Sequence, residues 1–388
     1  MEEILFWLCV GFVAYVYGVY PLFAYVAARV WPRLVQQGDV APSVTVIVPV
    51  YNEEAVISAK IQNTLGLDYP KERVEIIVAS DGSDDKTANL AAGYSSSGVE
   101  VCHFPQHEGK TAVLNKTVPK STGEVVLLTD AHARLESDAL RKLVRHFQDP
   151  TVGCVGGRKQ MVAGSSDAPS QGEGLYFRFE SFLKSAETRR HSSMGVDGAV
   201  LAFRKNLYIP LPAYCADDFF LSMKIIEAGY RVVYEPGAVA WIGTARSLRG
   251  ETERKIRTQT QLLATLPALL PLLNPLRSPV WWQLLSHRVA RLWVPFAMVA
   301  ALLLSFLLRT HGRIYLSALL IQVAFFLLAA LGYILARWGK RTALTSAPLH
   351  FGLAHWAVLA AWLRILRRGR EGVRWAKTER IVEESRPT

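Results

Sequence analysis

Long apolar runs lie at both ends of the chain, and a segment of mixed polarity lies between them. Residues 4–30 carry no charge until Arg29, and about 20 apolar residues suffice to cross a bilayer. Apolar runs also follow near the C-terminus at 292–308, at 314–336 and, more weakly, at 349–366. This pattern predicts a globular domain that is flanked by membrane segments on both sides.

The first half of the middle segment alternates short β-branched runs with runs of helical spacing. We predict strands at 43–50, 74–81, 99–104 and 124–131. Helices are predicted between them at 53–65, 84–92 and 110–118. Strands that alternate with helices form a parallel sheet covered on both faces. The fold class is therefore α/β.

Beyond residue 157 the alternation is less regular. The pattern predicts helices at 174–190, 217–229 and 251–266, and strands at 197–205 and 230–236. The apolar and polar stretches together divide the chain into an N-terminal transmembrane anchor at 1–35, a globular domain at 41–250, interfacial helices at 251–285, and a C-terminal transmembrane region with a basic tail at 286–388.

The charges around the membrane segments predict an orientation. Glu2 and Glu3 precede the first apolar run, whereas Arg29 and Arg33 end or follow it, so the positive-inside rule predicts a cytoplasmic globular domain. Counted as spans, the three C-terminal runs would instead put the basic tail outside. We therefore expect residues 349–366 to lie in the interface or to re-enter.

Composition narrows the class further. The chain has a net charge of +11, but much of the excess is near the C-terminal membrane flank and favours anionic lipid headgroups over nucleic acid. The four cysteines are scattered and are typical of reduced cytosolic thiols. These features indicate an integral membrane protein that binds lipid and no nucleic acid.

Two common nucleotide folds are excluded. The first strand ends in PVYNEE, without the G-x-G-x-x-G of a dinucleotide-binding unit. The GKT at 109–111 lacks the glycine that a P-loop places five residues before its GK pair, because position 104 is Phe. The sheet must bind a nucleotide by another arrangement, or bind none.

Acidic residues end two of the predicted strands. Asp81 ends the second strand, and Asp130 ends the fourth, with His132 two residues on. Strand-end acids often cap the next helix, but ligands in parallel sheets bind at these same ends. A divalent cation on a diphosphate needs few protein ligands. Asp130 and His132 are therefore candidate ligands of Mn²⁺ or Mg²⁺, although His132 could also donate to a phosphate or be partly buried.

Further candidates lie at helix starts. Lys110 works against the helix dipole unless a phosphate is bound there, or it is a solvated surface lysine. Asp217 and Asp218 favour a helix start in any case, but one of them could be a general base. Arg254 and Arg257 are three residues apart on one face and suit a pyrophosphate, or form a basic stripe against headgroups.

Taken in order, these motifs resemble those of the membrane-bound family 2 glycosyltransferases, which include the bacterial cellulose, hyaluronan and poly-N-acetylglucosamine synthase catalytic subunits. The resemblance covers roughly residues 40–265. It is carried by the following segments: VIVPVYNEE, VASDGSDDKT, GKTAVLN, LLTDAH, DGAVLAFR, ADDFFLSMKIIEAGYRVVYEP and ERKIRTQTQLL.

The resemblance implies a nucleotide-diphospho-sugar transferase (GT-A-like) domain with a mainly parallel sheet and an inverting, metal-dependent transfer from a UDP-sugar. Asp130 begins the metal motif, and Asp218 is the base with Asp217 beside it. The implied nucleotide-sugar contacts are Pro49, Tyr51, Glu53, Asp81, Lys110, Asp130 and Arg257. Arg254 is a further candidate because it shares a helix face with Arg257. The implied acceptor side is Gly198, Ala199, Phe203 and Arg204.

The chain departs from the family at two places. His132 replaces the second aspartate of the metal motif, so the choice of cation is open. Arg254 and Thr258 replace the glutamine and tryptophan of Q-x-x-R-W, and that tryptophan stacks on the growing polymer in synthases. We expect polysaccharide synthesis at the inner membrane, with possible export-complex subunits as partners. Single-sugar transfer to a lipid is the alternative, and an inactive scaffold subunit is the third reading.

Overall fold

Eight strands form one sheet in the computed structural model of this chain, which describes residues 1–161, 171–243, 248–340 and 342–369. The strands are β1 Val44–Val50, β2 Val74–Asp81, β3 Val99–Phe104, β4 Val125–Leu128, β5 Ala133–Leu135, β6 Val152–Met161, β7 Leu201–Arg204 and β8 Arg231–Ile242. Their order is β3-β2-β1-β4-β7-β6-β8-β5.

The sheet has a parallel half and a mixed half. β1 pairs in parallel with β2 and β4, and β2 pairs in parallel with β3. In the other half β7 is antiparallel to β4 and β6, β5 is antiparallel to β8, and β6 and β8 are parallel. The predicted GT-A-like, mainly parallel sheet is confirmed, and the antiparallel β7 joins its two halves.

Helices cover both faces of the sheet and continue into the apolar ends. They are α1 Glu2–Ala14, α2 Tyr20–Val30, α3 Ile57–Leu65, α4 Thr87–Ala92, α5 Lys110–Thr117, α6 Ala139–Val144, α7 Gln171–Arg190, α8 Asp217–Glu227, α9 Leu248–Thr265, α10 Trp281–Leu284, α11 Val294–Leu307, α12 Arg313–Arg337 and α13 Ala343–Arg368. A five-residue π-helical turn joins α1 and α2 into one apolar helix.

Alternate residues of the parallel strands enter two different cores, because successive side chains of a strand point to opposite faces. Val46 and Val48 of β1 pack in one core with α3 and α6, whereas Ile47 packs in the other with α5 and α8. Burying each such side chain contributes about 1.5–3 kcal/mol. The packing of these strands on both faces therefore fixes the positions of the loops that follow them.

Buried polar contacts attach the N-terminal helix to the domain. Arg231 is 1% exposed and donates to the carbonyls of Arg33, Thr188 and His191. The Tyr20 hydroxyl donates to the Glu187 carboxylate over 2.6 Å. The segment that follows α2 is thus bonded to the C-terminal end of α7 and to β8.

By length and composition, three of the described helices could cross a membrane: Glu2–Val30, Arg313–Arg337 and Ala343–Arg368. The predicted run at 292–308 instead forms α11, which has 14 residues and joins the helical segment Trp281–Leu292 at a bend of 55°. The segment expected in the interface at 349–366 lies within the 26-residue α13. Arg370, Arg374, Lys377 and Arg380 of the basic tail lie outside the described residues.

Candidate active site

The loops that follow β1 and β2 are bonded directly to each other. Asn52 has a positive φ of 52° and donates its backbone N–H to Ser83 Oγ over 3.1 Å. Its side-chain oxygen accepts the N–H of Asp84 at 3.0 Å. Because residues 51–56 form this loop, the helix predicted from residue 53 begins only at Ile57.

Asp81 is buried at the end of β2 and binds the loop before α5. Its two carboxylate oxygens accept the backbone N–H groups of Glu108 and Gly109, both at 2.8 Å, and His107 Nδ1 lies 2.8 Å from Oδ2. Gly82 has φ +65°, and a Cβ there would lie 2.5 Å from the backbone nitrogen of His107. Only glycine permits this close approach of the two loops. Asp81 therefore orients the segment that carries Lys110.

An aromatic pair lies beside Asp81. The rings of Tyr51 and His107 stack with centroids 3.9 Å apart and an interplanar angle of 21°. Tyr51 was predicted from the sequence as a nucleotide contact, whereas His107 was not. The GT-A-like sheet brings the two residues together from separate loops.

Lys110 joins the two acidic elements of the site. Its Nζ lies 3.2 Å from Asp130 Oδ1 and 2.8 Å from Asp217 Oδ2. Burial by itself lowers the pKa of the Lys110 ammonium, but Asp130 and Asp217 outweigh burial and raise that pKa above its ordinary value. A permanent positive charge therefore lies between the strand-end acid and the acids at the start of α8.

Asp218 is a half-buried carboxylate at the start of α8. Its Oδ2 accepts the Gly198 N–H at 2.9 Å, and its Oδ1 lies 2.7 Å from its neighbour's amide at Phe219. Burial and the Asp217 charge raise the pKa of Asp218 to about 6, although Lys110 and the Gly198 N–H act in the opposite direction. A carboxylate with this pKa is ionised near neutral pH and can still accept a proton, as a general base must.

His132 lies in the turn after β4, and its Nε2 is 2.9–3.0 Å from the Glu53 carboxylate oxygens. A metal bound by His132 would use Nδ1, or Nε2 after the Glu53 contact opens. Asp130 in the same turn is one-third exposed. It fits a cation that takes its other ligands from phosphate and water. No group of three or more His, Cys, Asp or Glu side chains among the described residues could hold an ion by itself.

Lys60 was not predicted to take part in the site. It is 3% exposed on α3, and its Nζ donates to Thr129 Oγ1 at 2.8 Å and to the Ala133 carbonyl at 2.6 Å. Burial lowers the pKa of Lys60 to about 7, although the Asp130 charge opposes that effect. A lysine on the apolar face of the predicted helix 53–65 was the sequence signal for a buried role.

Not every predicted site residue joins this cluster. Pro49 lies within β1, and Ala199 and Phe203 are buried in the sheet core. Arg204 donates to the carbonyls of Val152, Phe147 and Asp149, so it supports the fold.

The two predicted arginines of α9 are half-buried. They are Arg254 and Arg257, and α9 packs against α13. Gly198 does reach the cluster: a Cβ there would lie 3.3 Å from Asp218 Oδ2 and 3.5 Å from Lys110 Nζ.

The sheet has a GT-A-like fold with acids at its edge, and comparison with known proteins agrees with that fold. Residues 45–208 match the glycosyl transferase family 2 model. A mannosyltransferase from Pyrobaculum calidifontis, solved in complex with GDP-Man and Mn²⁺, superposes with a TM-score of 0.72 at 24% identity, covering 94% of this chain and 99% of that one. This likeness shows the fold.

Curated relatives point to the same family. The poly-β-1,6-N-acetyl-D-glucosamine synthase of Staphylococcus aureus (strain NCTC 8325 / PS 47) is 25% identical over 263 residues, which cover 66% of this chain and 63% of the relative. The probable glycosyltransferase YdaM of Bacillus subtilis (strain 168) is 26% identical over 211 residues, covering 52% and 50%. The match thus spans less than two thirds of either relative. Residues 45–208 are therefore similar to the glycosyl transferase family 2, and the chain is similar to the synthase.

Proposed function

We propose that this protein is an inverting glycosyltransferase that moves a sugar from a UDP-sugar to an acceptor hydroxyl and forms a β-glycoside. The observation that carries the proposal is the Lys110 bridge between Asp130 and Asp217, with the half-buried Asp218 beside it. Such a cluster combines groups that suit a diphosphate with a base for a hydroxyl. The 25% identity to the poly-β-1,6-N-acetyl-D-glucosamine synthase supports sugar transfer, and the resemblance described above is the reason for choosing UDP as the nucleotide.

The chemistry is a single in-line displacement. The acceptor oxygen attacks the anomeric carbon of the α-linked donor, its proton passes to Asp218, and the bond to UDP breaks. Lys110 neutralises charge that develops on the departing phosphate, and its 2.8 Å contact with Asp217 keeps it next to the base. No covalent intermediate with the enzyme is required, because one displacement inverts the anomeric carbon.

A divalent cation fits this chemistry. Asp130 would hold it, with His132 as a candidate second ligand, and the cation would withdraw negative charge from the leaving diphosphate. Asp130 is one-third exposed and close to a cationic side chain, so a diphosphate and its cation could approach from solvent. Mn²⁺ accompanies GDP-Man in the mannosyltransferase of the same fold.

We further propose that the domain faces the cytoplasm from a bacterial inner membrane. The bent helix pair at Trp281–Leu307 would enter and leave on one side, so that α12 and α13 are the two C-terminal crossings. The domain and the basic end of α13 would then lie on the same side. Arg367 and Arg368 in its last turn fit the positive-inside rule. Polysaccharide synthesis is the biological role that these features favour.

The alternative is the addition of one sugar to a lipid acceptor, such as a polyprenyl-phosphate or a glycolipid. Thr258 stands where synthases carry the tryptophan that stacks on the polymer, and its hydroxyl bonds the Arg254 carbonyl of its own helix at 3.0 Å. Helix α9 also packs against the apolar α13. Mass spectrometry of the product separates the two: one added sugar supports the lipid acceptor, whereas a ladder of sugars supports polymerisation.

The test is a donor panel that is offered to the detergent-solubilised full chain with bacterial membranes as acceptor. UDP-N-acetylglucosamine, UDP-glucose and GDP-mannose are compared with Mn²⁺ or with chelator, and release of the nucleoside diphosphate is measured. We expect Mn²⁺-dependent UDP release that is lost in Asp130→Ala. Release from GDP-mannose alone would refute the UDP-sugar donor. Release from none of the donors would favour an inactive scaffold.

A further inference from the structure

The buried Lys60 side chain forms hydrogen bonds with both ends of the turn that carries Asp130. β4 ends at Leu128 and β5 begins at Ala133, so residues 129–132 connect strands at distant positions of the sheet. The Lys60 ammonium donates to Thr129 Oγ1 at the start of this turn and to the Ala133 carbonyl at its end. It therefore spans the segment that presents Asp130 and His132.

The rest of the same helix region reinforces this arrangement. Glu53, just before α3, binds His132, and the Asn63 side chain both donates to the Leu135 carbonyl and accepts the Leu135 N–H, each at 2.8 Å. Glu53 and Lys60 contact the turn itself, whereas Asn63 contacts β5 beyond it. Asn63 is thus a suitable control residue, because its loss should affect the stability of the fold without removing a contact to the turn.

Stability alone does not explain a lysine amine at this buried position. Burial disfavours the charged form of a lysine, and replacing buried ionic groups by apolar groups of similar volume is often neutral or stabilising. Lys60 is 3% exposed, and Thr129 and Ala133 are each 1% exposed. Its presence is better explained by the geometry that it imposes on the Asp130 turn.

We propose that Lys60 is a positioning residue for cation and diphosphate binding, which acts by fixing both ends of the turn around Asp130. Outer partners of metal ligands are known to set ligand orientation, and their loss typically costs 10–100-fold in metal affinity or activity. The proposal rests on the proposed function, because it takes Asp130 as the cation ligand. Lys60 itself does not contact the reacting groups.

The test compares Lys60→Met with Asn63→Ala in the full chain. Met keeps most of the side-chain volume and removes the donor. Mn²⁺ is titrated at saturating UDP by calorimetry or by electron paramagnetic resonance, and the melting temperature is measured in parallel. We expect Lys60→Met to weaken Mn²⁺ binding about tenfold or more, out of proportion to its change in stability. Asn63→Ala should lower the melting temperature and leave the Mn²⁺ affinity within twofold of wild type.

Thr129→Val provides a second variant that retains the lysine and removes one of its acceptors. It should weaken Mn²⁺ binding less than Lys60→Met, and the double variant should fall short of the sum of the two effects, since both act through one contact. If both single variants bind Mn²⁺ with UDP as tightly as wild type, Lys60 has no positioning role. A parallel fall of affinity and stability in Lys60→Met and Asn63→Ala alike would also overturn it.

Amide hydrogen exchange of the ligand-free protein tests the same idea without nucleotide. Lys60→Met should speed exchange in the turn at 129–133 and leave β6 unchanged, and unchanged exchange in the turn overturns the proposal. If wild type shows no Mn²⁺-dependent UDP binding, the proposed function fails and this proposal falls with it. If wild type binds and Lys60→Met binds equally well, only the role of Lys60 fails.

Discussion

Asp81 and Asp218 show how the two halves of the sheet use the same residue type. Asp81 is buried and Asp218 is half-buried, and each accepts two backbone N–H groups. Asp81, in the parallel half, has His107 beside it and is committed to holding a loop. Asp218, at the mixed half, has a second carboxylate beside it, and burial with that neighbour raises its pKa to about 6. The Asp217 charge beside Asp218 is therefore one difference between Asp81, which positions a loop, and Asp218, which is a candidate base.

The largest expected effect tests Asp218 as the base. Asp218→Asn keeps the size and one of the two acceptor oxygens of the side chain but cannot act as a base, so sugar transfer should fall by about 10²–10⁴-fold. UDP binding should persist, because the contacts attributed to the diphosphate come from Asp130 and Lys110. Transfer is measured with the best donor of the panel, and UDP binding by calorimetry.

Asp68→Asn is the matched control for that experiment. Asp68 is exposed and pairs with Arg141, outside the cluster. It should transfer sugar at the wild-type rate. If Asp218→Asn transfers sugar at a near-normal rate, another group is the base. If Asp218→Asn loses UDP binding, the variant disrupts the site as a whole.

The charge of Lys110 provides a smaller effect with a defined sign. Transfer by wild type should decline as the pH falls through about 6, because Asp218 becomes protonated. Lys110 lowers the Asp218 pKa, so Lys110→Gln should raise that pKa and move the acid limb of the rate profile to higher pH, by about one unit. The pH at half-maximal kcat is the readout, since the rate itself also falls.

A matched variant separates this effect from general loss of surface charge. Lys116→Gln lies on the same helix, and its ammonium pairs with the exposed Glu108, so its acid limb should stay near pH 6. An acid limb that does not move in Lys110→Gln would mean that the decline reports a different group from Asp218.

The smallest expected effect concerns the choice of cation. His132→Asp should shift the preference from Mn²⁺ towards Mg²⁺ by a few fold, because imidazole suits Mn²⁺ better than Mg²⁺. The new carboxylate would face the buried Glu53, so His132→Gln is made in parallel to keep a donor towards it. The ratio of the two half-saturating ion concentrations in UDP binding is measured. If the ratio is unchanged in both variants, His132 is not a ligand of the cation.

Much of the parallel half could be predicted. β2 and β3 have the predicted bounds, and β1 differs by one residue at its start. The predicted fourth strand ended at residue 131, whereas β4 ends at Leu128. Of the mixed half, β5 and β6 were not predicted. β5 has only three residues, and its pairing with β8 reaches across the chain, so no local pattern reports it.

The candidate site divides in the same way. Asp81, Lys110, Asp130 and Asp218 each follow a strand or start a helix, and such positions are visible as interruptions of an apolar pattern. His107 is not visible in this way, since its role depends on the ring of Tyr51. Lys60 interrupts the apolar face of a predicted helix, but its contacts with Thr129 and Ala133 could not be predicted from that pattern. Phe203 and Arg204 carry the family's motif, but the structure uses them in the core and at backbone carbonyls.

The sequence by itself determined which residue types lie at the carboxyl ends of the strands, because alternation and apolar runs are local properties of the chain. Only the tertiary structure decided that Lys110 lies between Asp130 and Asp217 and that Asp218 is partly desolvated beside a second carboxylate. It also decided that Lys60 of α3 binds both ends of the turn that carries Asp130. Distances and desolvation depend on segments that are far apart in sequence. The chemistry of these carboxylates therefore belongs to the folded chain and not to any one motif.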